Sequence, residues 1–316
     1  MNKKLKYLLQ LLGPVILVYI LFQIDYQILF QEVKSLQWSF LIWAAILMIL
    51  EIAVKALRWQ CILSSLGIFI SKTKSLSLHW LGIFVGVVTP GRLGELIKIY
   101  FLKDKGQSAF RSFFSVILDR IIDIFVLLFF GFLIFVFFLR SIGIYMMILS
   151  AILLLIIIFI FLLFDQRSWL HKFFGRVIKK VFPVDFADYS HFSFKSLWQG
   201  IKNLEKKQVL FFLIYLTIGW LFYFLARYLI ALALGLELSF LSVAVISILV
   251  AIVTILPISV AGLGTREAAI IYLFGLFALN KETALLFSLF VFAIDMLVVS
   301  LGIIPYLKLS SSDDDI

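Results

Sequence analysis

Long runs of leucine, isoleucine and phenylalanine leave this chain few ways to fold. Ile142–Phe164 carries no charged side chain, and Leu8–Phe22, Trp38–Leu66, Ser112–Leu139, Val209–Leu234 and Ala284–Leu307 are apolar over most of their length. A helix needs ~20 apolar residues to cross the ~30 Å hydrocarbon layer of a bilayer. With 64% hydrophobic and 15% charged residues in a chain of 316, there is more apolar surface than a soluble domain can hide. The runs are unbroken and strand-like alternation is rare, which argues against an outer-membrane barrel. The expectation is an all-α polytopic membrane protein forming a single integral membrane domain over residues 1–316.

The formal net charge of +10 follows from cytoplasmic loops, where Lys and Arg of membrane proteins collect, so no nucleic-acid partner is expected. A single cysteine, Cys61, allows no intrachain disulfide, and His79, His171 and His191 are scattered. No metal site or other cofactor is expected.

Charge placement gives a topology. Lys3, Lys4 and Lys6 put the N-terminus in the cytoplasm before an uncleaved first span, Leu8–Phe22. Asp25–Gln37 is read as an external loop, and Trp38–Leu66 returns inward, with Trp38 and Trp43 suited to an interfacial belt. Ser112–Leu139 crosses outward and Ile142–Phe164 crosses back around a tight link at Arg140–Ser141. Asp165–Gln208, with nine Lys/Arg against four Asp/Glu, is a basic cytoplasmic loop. Within it Trp169, Phe173, Val177 and Val181 recur at helical spacing opposite Lys172, Arg176, Lys179 and Lys180. That pattern fits an amphipathic helix on the inner leaflet or on the protein's own cytoplasmic face. Val209–Leu234 and Ala284–Leu307 complete six spans, leaving the acidic tail Asp313–Asp315 and the C-terminus in the cytoplasm.

Two stretches do not fit a simple span. Val87-Val-Thr-Pro-Gly-Arg-Leu-Gly-Glu-Leu-Ile-Lys98 lies between short apolar arms, Leu76–Val88 and Leu93–Leu102, and both flanks are basic (Lys72 and Lys74; Lys103, Lys105 and Arg111). Leu241–Leu256, Pro257–Gly264 and Ala268–Leu279 repeat the design. Proline and glycine are the residues expected at such breaks. Hydrocarbon tolerates broken, charged backbone only where protein or a polar cavity surrounds it. Each break is therefore read as the turn of a re-entrant hairpin, the first entering from inside and the second from outside, with eight full spans as the alternative. Residues 38–139 and 209–309 then form two hairpin-containing repeats of opposite topology, an arrangement that places a substrate site between broken helices.

Charged residues at membrane depth cost ~2.5–3.5 kcal/mol each on insertion scales and mark candidate sites. Arg92, Glu95 and Lys98 with Gly91 and Gly94, and Arg266 and Glu267 with Gly262 and Gly264, are candidates for substrate binding. Glycine permits close backbone approach, exposed amides at a helix start attract anions, and an arginine fork matches phosphate. Asp119, Arg120 and Asp123, together with Glu51 and Arg58, are candidates for coupling or for orienting the arginines. Asp119 and Asp123 share a helix face, and Glu51, Lys55 and Arg58 form one stripe at i, i+4, i+7. The competing reading is that such charges only pair and pin helices together. His79 is a candidate proton relay, and Arg227 reads as an interfacial anchor.

Pro90-Gly-Arg-Leu-Gly-Glu-Leu-Ile-Lys98, followed by Ser115-Val-Ile-Leu-Asp-Arg-Ile-Ile-Asp123, resembles the signature of the flippase-like membrane region of lysylphosphatidylglycerol synthases. Leu256-Pro-Ile-Ser-Val-Ala-Gly-Leu-Gly-Thr-Arg-Glu-Ala268 resembles its second motif, and Arg58-Trp59 its early Arg-Trp. The chain departs at Ala293-Ile-Asp295, where an arginine is expected close by, and this weakens a direct role for that late helix. The resemblance implies translocation of an anionic phospholipid or polyprenyl-phosphate-linked lipid across a prokaryotic cytoplasmic (inner) membrane.

Bifunctional relatives also carry a soluble aminoacyl-transferase domain. None is expected here, because only a short tail follows Leu307. A membrane-embedded lipid-phosphate transferase is the enzymatic rival, but the metal-binding aspartate loop it calls for is missing from the sequence. The third reading is a non-transporting partner of a separate lipid-modifying enzyme. The oligomeric state is left open, a homo-oligomer included.

Overall fold

The computed structural model describes residues 3–87, 89–103, 109–138, 206–255 and 262–305, together with Leu307. All regular structure among them is helical: α1 (Lys3–Phe22), α2 (Tyr26–Lys34), α3 (Trp38–Ser65), α4 (Lys72–Val87), a 3-10 turn (Pro90–Leu96), α5 (Ile97–Lys103), α6 (Ala109–Phe138), α7 (Lys206–Ala233), α8 (Phe240–Ile255), α9 (Thr265–Gly275) and α10 (Lys281–Ser300). The expected span Ile142–Phe164, the link Arg140–Ser141, the amphipathic segment at Trp169–Phe182, residues 256–261 of the second break and the acidic tail lie outside the described residues.

Trp38–Ser65, Lys206–Ala233 and Lys281–Pro305 are each long and apolar enough to cross a membrane, and a fourth crossing results if the bent pair α1/α2 counts as one. The 30-residue α6 carries Asp119, Arg120 and Asp123 in its first half. An α-polytopic membrane protein is thus the observed class.

One element departs from the sequence reading. Asp25–Gln37, expected as an external loop, is mostly helix: α2 turns 90° from the preceding helix. Asp25 starts it, its carboxylate accepting from the backbone N–H of Gln27 at 2.8 Å and Ile28 at 3.4 Å, which satisfies amides that a helix start leaves unpaired. The corner is tied to the start of α10. Asp25 N–H donates to Glu282 Oε1 at 3.2 Å, Thr283 Oγ1 donates to Glu32 Oε1, and Lys281 Nζ donates to the Gln23 carbonyl.

The first break forms for local reasons. Pro90 cannot continue a helix, and α4 ends before it. Thr89 Oγ1 donates toward the carbonyls of Val85 at 3.2 Å and Gly86 at 3.0 Å, and accepts from Gly94 N–H at 2.7 Å. One hydroxyl thereby serves both arms of the turn. Gly94 is required here, since a Cβ would run into the Val85 carbonyl. At ~1.5 Å per residue, α4 with 16 residues reaches ~24 Å and α5 with 7 ~10 Å, so neither arm alone crosses ~30 Å. The second break follows suit: α8 has 16 residues and α9 has 11.

The chain divides into two compact units. The first comprises residues 1–54, 80–95 and 217–316, and the second residues 55–79 and 96–216. In the first unit α9 packs on α8, α10 and α1, with the Phe274 and Phe287 rings 5.2 Å apart. Trp80 Nε1 donates to the Val298 carbonyl at 3.0 Å, where Gly302 leaves room for Trp80 and Phe84. In the second unit Ile62, Leu66 and Phe114 form a core cluster flanked by Leu118, Ile122 and Phe212, and α5 packs on α6.

Among the described glycines of the first unit, Gly264 leaves the least room for a side chain. Its φ is +82°, and a Cβ would overlap the Gly13 carbonyl of α1. Gly235 also has positive φ, +67°, but open space around it. Gly264→Ala is expected to destabilise the protein by about 3 kcal/mol, from backbone strain plus overlap, and Gly235→Ala by about 1 kcal/mol, from strain alone. Thermal unfolding in detergent measures both, and equal shifts would refute the close approach of α1 and α9.

Candidate functional site

The second break builds a small anion-holding corner. Gly264 caps α9, and Glu267, three residues on, reaches back so that its Oε2 accepts from Gly264 N–H at 2.6 Å. This is the carboxylate half of a capping box. The other oxygen, Oε1, accepts from Arg266 Nη2 at 2.5 Å and from Ser288 Oγ at 3.0 Å. Arg266 Nε donates to Ser288 Oγ at 2.9 Å, and its guanidinium lies 4.7 Å from the Phe292 ring centroid. Glu267 is fully buried and Arg266 nearly so. Two anionic oxygens are therefore gripped by a guanidinium, a hydroxyl and a helix-start amide inside the first unit.

At the first break the 3-10 turn carries Gly91, Arg92 and Glu95. Glu95 is buried, and its side chain lies across Gly86, where a Cβ would come 2.9 Å from Glu95 Cγ. The Arg92 side chain is outside the described set. Both breaks, with Arg92, Glu95, Arg266 and Glu267, belong to the first unit, whereas Lys98 falls in the second.

A second polar cluster occupies the second unit. Arg58 of α3 donates from Nε and Nη2 to Asp119 Oδ1 at 3.0 and 2.7 Å, and from Nη1 to Asp123 Oδ1 at 2.6 Å. The i, i+4 spacing puts both carboxylates on the α6 face that meets the fork. Next to Arg58, Trp59 Nε1 donates to Ser115 Oγ at 3.2 Å, and Ser115 donates to the Ser112 carbonyl at 2.7 Å. Lys98 of α5 stands with Nζ 3.2 Å from His79 Nδ1 and 4.8 Å from the Trp59 ring centroid. Arg58, Trp59, His79, Lys98 and Asp119 are all buried. Arg120 sits half-buried beside them on α6.

The third cluster corrects two sequence readings. Arg227, read as an interfacial anchor, is buried. Its Nη2 donates to Asp295 Oδ1 at 3.0 Å, Nη1 lies 3.8 Å from Glu51 Oε2, and its guanidinium stacks 4.1 Å from the Tyr223 ring centroid. The arginine expected near Asp295 in sequence is supplied in space by α7. Along the stripe Glu51/Lys55/Arg58, Glu51 meets Arg227 in the first unit and Arg58 meets the aspartates in the second.

Ser288 and Phe292 were not singled out from the sequence. The available signal was a lone hydroxyl in the apolar stretch Ala284–Ile294, one turn before Phe292 and two before Asp295, hence on one face. Among the described residues no group of three or more His, Cys, Asp or Glu is arranged to hold a metal ion.

The family described as the lysylphosphatidylglycerol synthase TM region matches residues 10–302. A UPF0104 membrane protein of Pyrococcus horikoshii is 26% identical over 306 residues, covering 90% of each chain. Another, of Archaeoglobus fulgidus, is 26% identical over 273 residues, 81% of this chain and 82% of that one. No solved structure matches.

Arg58→Ala would strand two carboxylates one turn apart in a buried setting, and is expected to cost about 3–5 kcal/mol. Asp123→Asn leaves Arg58 on Asp119 and should cost clearly less. Melting curves of the purified variants test this ordering, and an Arg58→Ala protein as stable as wild type would refute it.

Proposed function

Since the chain belongs to the family of the lysylphosphatidylglycerol synthase TM region, we propose that it binds the head group of an anionic lipid and carries it between the leaflets of the cell membrane. The observation that carries this reading is the donor set around Glu267. A guanidinium, a hydroxyl and a helix-start amide hold two carboxylate oxygens, and a phosphodiester presents two non-bridging oxygens to the same kinds of donor. In this reading Glu267 keeps the place of the head group and yields it when a phosphate arrives, so that Arg266 is never left buried without an anion. Arg92 and Glu95 are the counterpart at the first break.

The short arms on both sides of each break support two re-entrant hairpins of opposite sense, with about six spans, over eight full crossings. Such hairpins expose backbone donors at mid-membrane depth, where a passing head group has lost its water. Arg58, Asp119 and Asp123 are, in this reading, the coupling or orienting groups of the second unit. The work proposed is movement without bond chemistry, in the cytoplasmic membrane with both termini inside. Lipids are the partners, and a separate enzyme that modifies them fits beside it.

Transbilayer movement of fluorescent phosphatidylglycerol in proteoliposomes tests the reading. Wild type is expected to move it faster than empty vesicles do. Arg266→Ala and Arg92→Ala should each slow it by about tenfold or more, the loss of one charge-assisted contact, with Arg266→Lys in between. Wild-type rates in both alanine variants would remove the two corners from the path. If wild type moves neither phosphatidylglycerol, its lysyl derivative nor a polyprenyl phosphate, the non-transporting partner reading takes over.

A further inference from the structure

The buried contact between Lys98 and His79 adds a proton to this picture. Nζ of Lys98 and Nδ1 of His79 are 3.2 Å apart, and the two residues are 0% and 3% exposed. An ammonium has only donors and a protonated imidazole has only donors. For these nitrogens to be hydrogen-bonded, one must lend a lone pair, so the two cannot both be fully protonated and the pair carries at most one positive charge. Trp59 faces both: its ring lies 4.8 Å from Nζ, and its centroid is 6.1 Å from that of the His79 ring. Among the described residues, the charges acting on the pair include Lys55 and Arg58 from α3, and Asp119, Arg120 and Asp123 from α6. Both aspartates already share the Arg58 fork. A second proton would place two like charges in contact, beside a third on Arg58, in a setting with little water to screen them.

An arriving anion removes that obstacle. A phosphodiester head group is singly negative near neutral pH and has no proton of its own to give. We propose that an anionic phosphodiester head group reaching Lys98 draws one proton from solution onto the Lys98–His79 pair, so that head-group binding and proton uptake are coupled. The inference rests on the reading that such a head group enters this protein. By linkage, a falling pH then strengthens head-group binding by the same factor by which the head group strengthens proton binding. A carrier with this property takes up head group and proton on the more acidic side and releases both on the other.

Calorimetric titration of dioctanoyl-phosphatidylglycerol into the full chain in detergent tests this, in buffers of equal pH but different ionisation heat. The dependence of the binding heat on the buffer gives the protons taken up per lipid bound. About one proton is expected for wild type when the pair starts with one and ends with two. His79→Gln still offers Lys98 an acceptor, and its uptake should fall to a small fraction. Uncharged dioctanoylglycerol should cause none.

Binding of the anionic lipid by wild type without proton uptake overturns the coupling and leaves the head-group reading standing. Uptake that survives in a folded His79→Gln protein, or that the uncharged lipid matches, overturns the assignment to this pair. Absence of any lipid binding overturns both readings.

Discussion

The cost of a charge surrounded by hydrocarbon governs this structure. Each such group must be paired or reach water, and a helix that carries one is held to whichever neighbour carries the partner. Arg58 holds α3 to α6 through Asp119 and Asp123, Arg227 holds α7 to α10 through Asp295 and approaches Glu51, and Arg266 is held by Glu267 and Ser288. Apolar packing alone gives helices in lipid little preference among neighbours, because lipid tails are as apolar as leucine. Here the ion pairs supply the preference, and the packing fills in around them.

Glycine supplies the second constraint, closeness. Gly264 lets the start of α9 meet α1 at Gly13, and Gly94 lets the 3-10 turn close on Val85. In both places one backbone amide of the corner is taken by a side chain: Gly264 N–H by Glu267, and Gly94 N–H by Thr89. A corner satisfied by a side chain is also one from which that side chain can be displaced. This links the architecture to the proposed handling of a charged head group and gives the two breaks a common logic despite their different sequences.

Much of the architecture was legible in the sequence. The apolar runs marked Trp38–Ser65, Lys206–Ala233 and Lys281–Ser300, and proline with glycine marked both breaks with short arms. Helix α2 was not legible, because Tyr26–Lys34 is polar enough to read as loop, and its helix depends on the Asp25 cap and on contacts to α10. Charges at membrane depth were recognisable as candidates, since their rarity against apolar surroundings is itself the signal. Their partners were not. Helical spacing puts Glu51 in one stripe with Lys55 and Arg58, but gives no sign that Glu51 also meets Arg227, more than a hundred residues away. Spacing tells which side chains share a face and is silent on what that face meets.

The sequence by itself determined that this protein is helical and built for a membrane, where its helices break, and which polar residues need an explanation. Those follow from local physics: the length of apolar runs, the missing N–H of proline, the freedom of glycine and the desolvation cost of charge. Tertiary structure alone decided that Asp295 has an arginine after all, that Arg58 bridges two aspartates, that Ser288 completes the grip on Glu267, and that Lys98 stands against His79. Each of these joins residues on different helices. Long-range pairing depends on which faces pack together, a property of the whole assembly that no window of sequence contains.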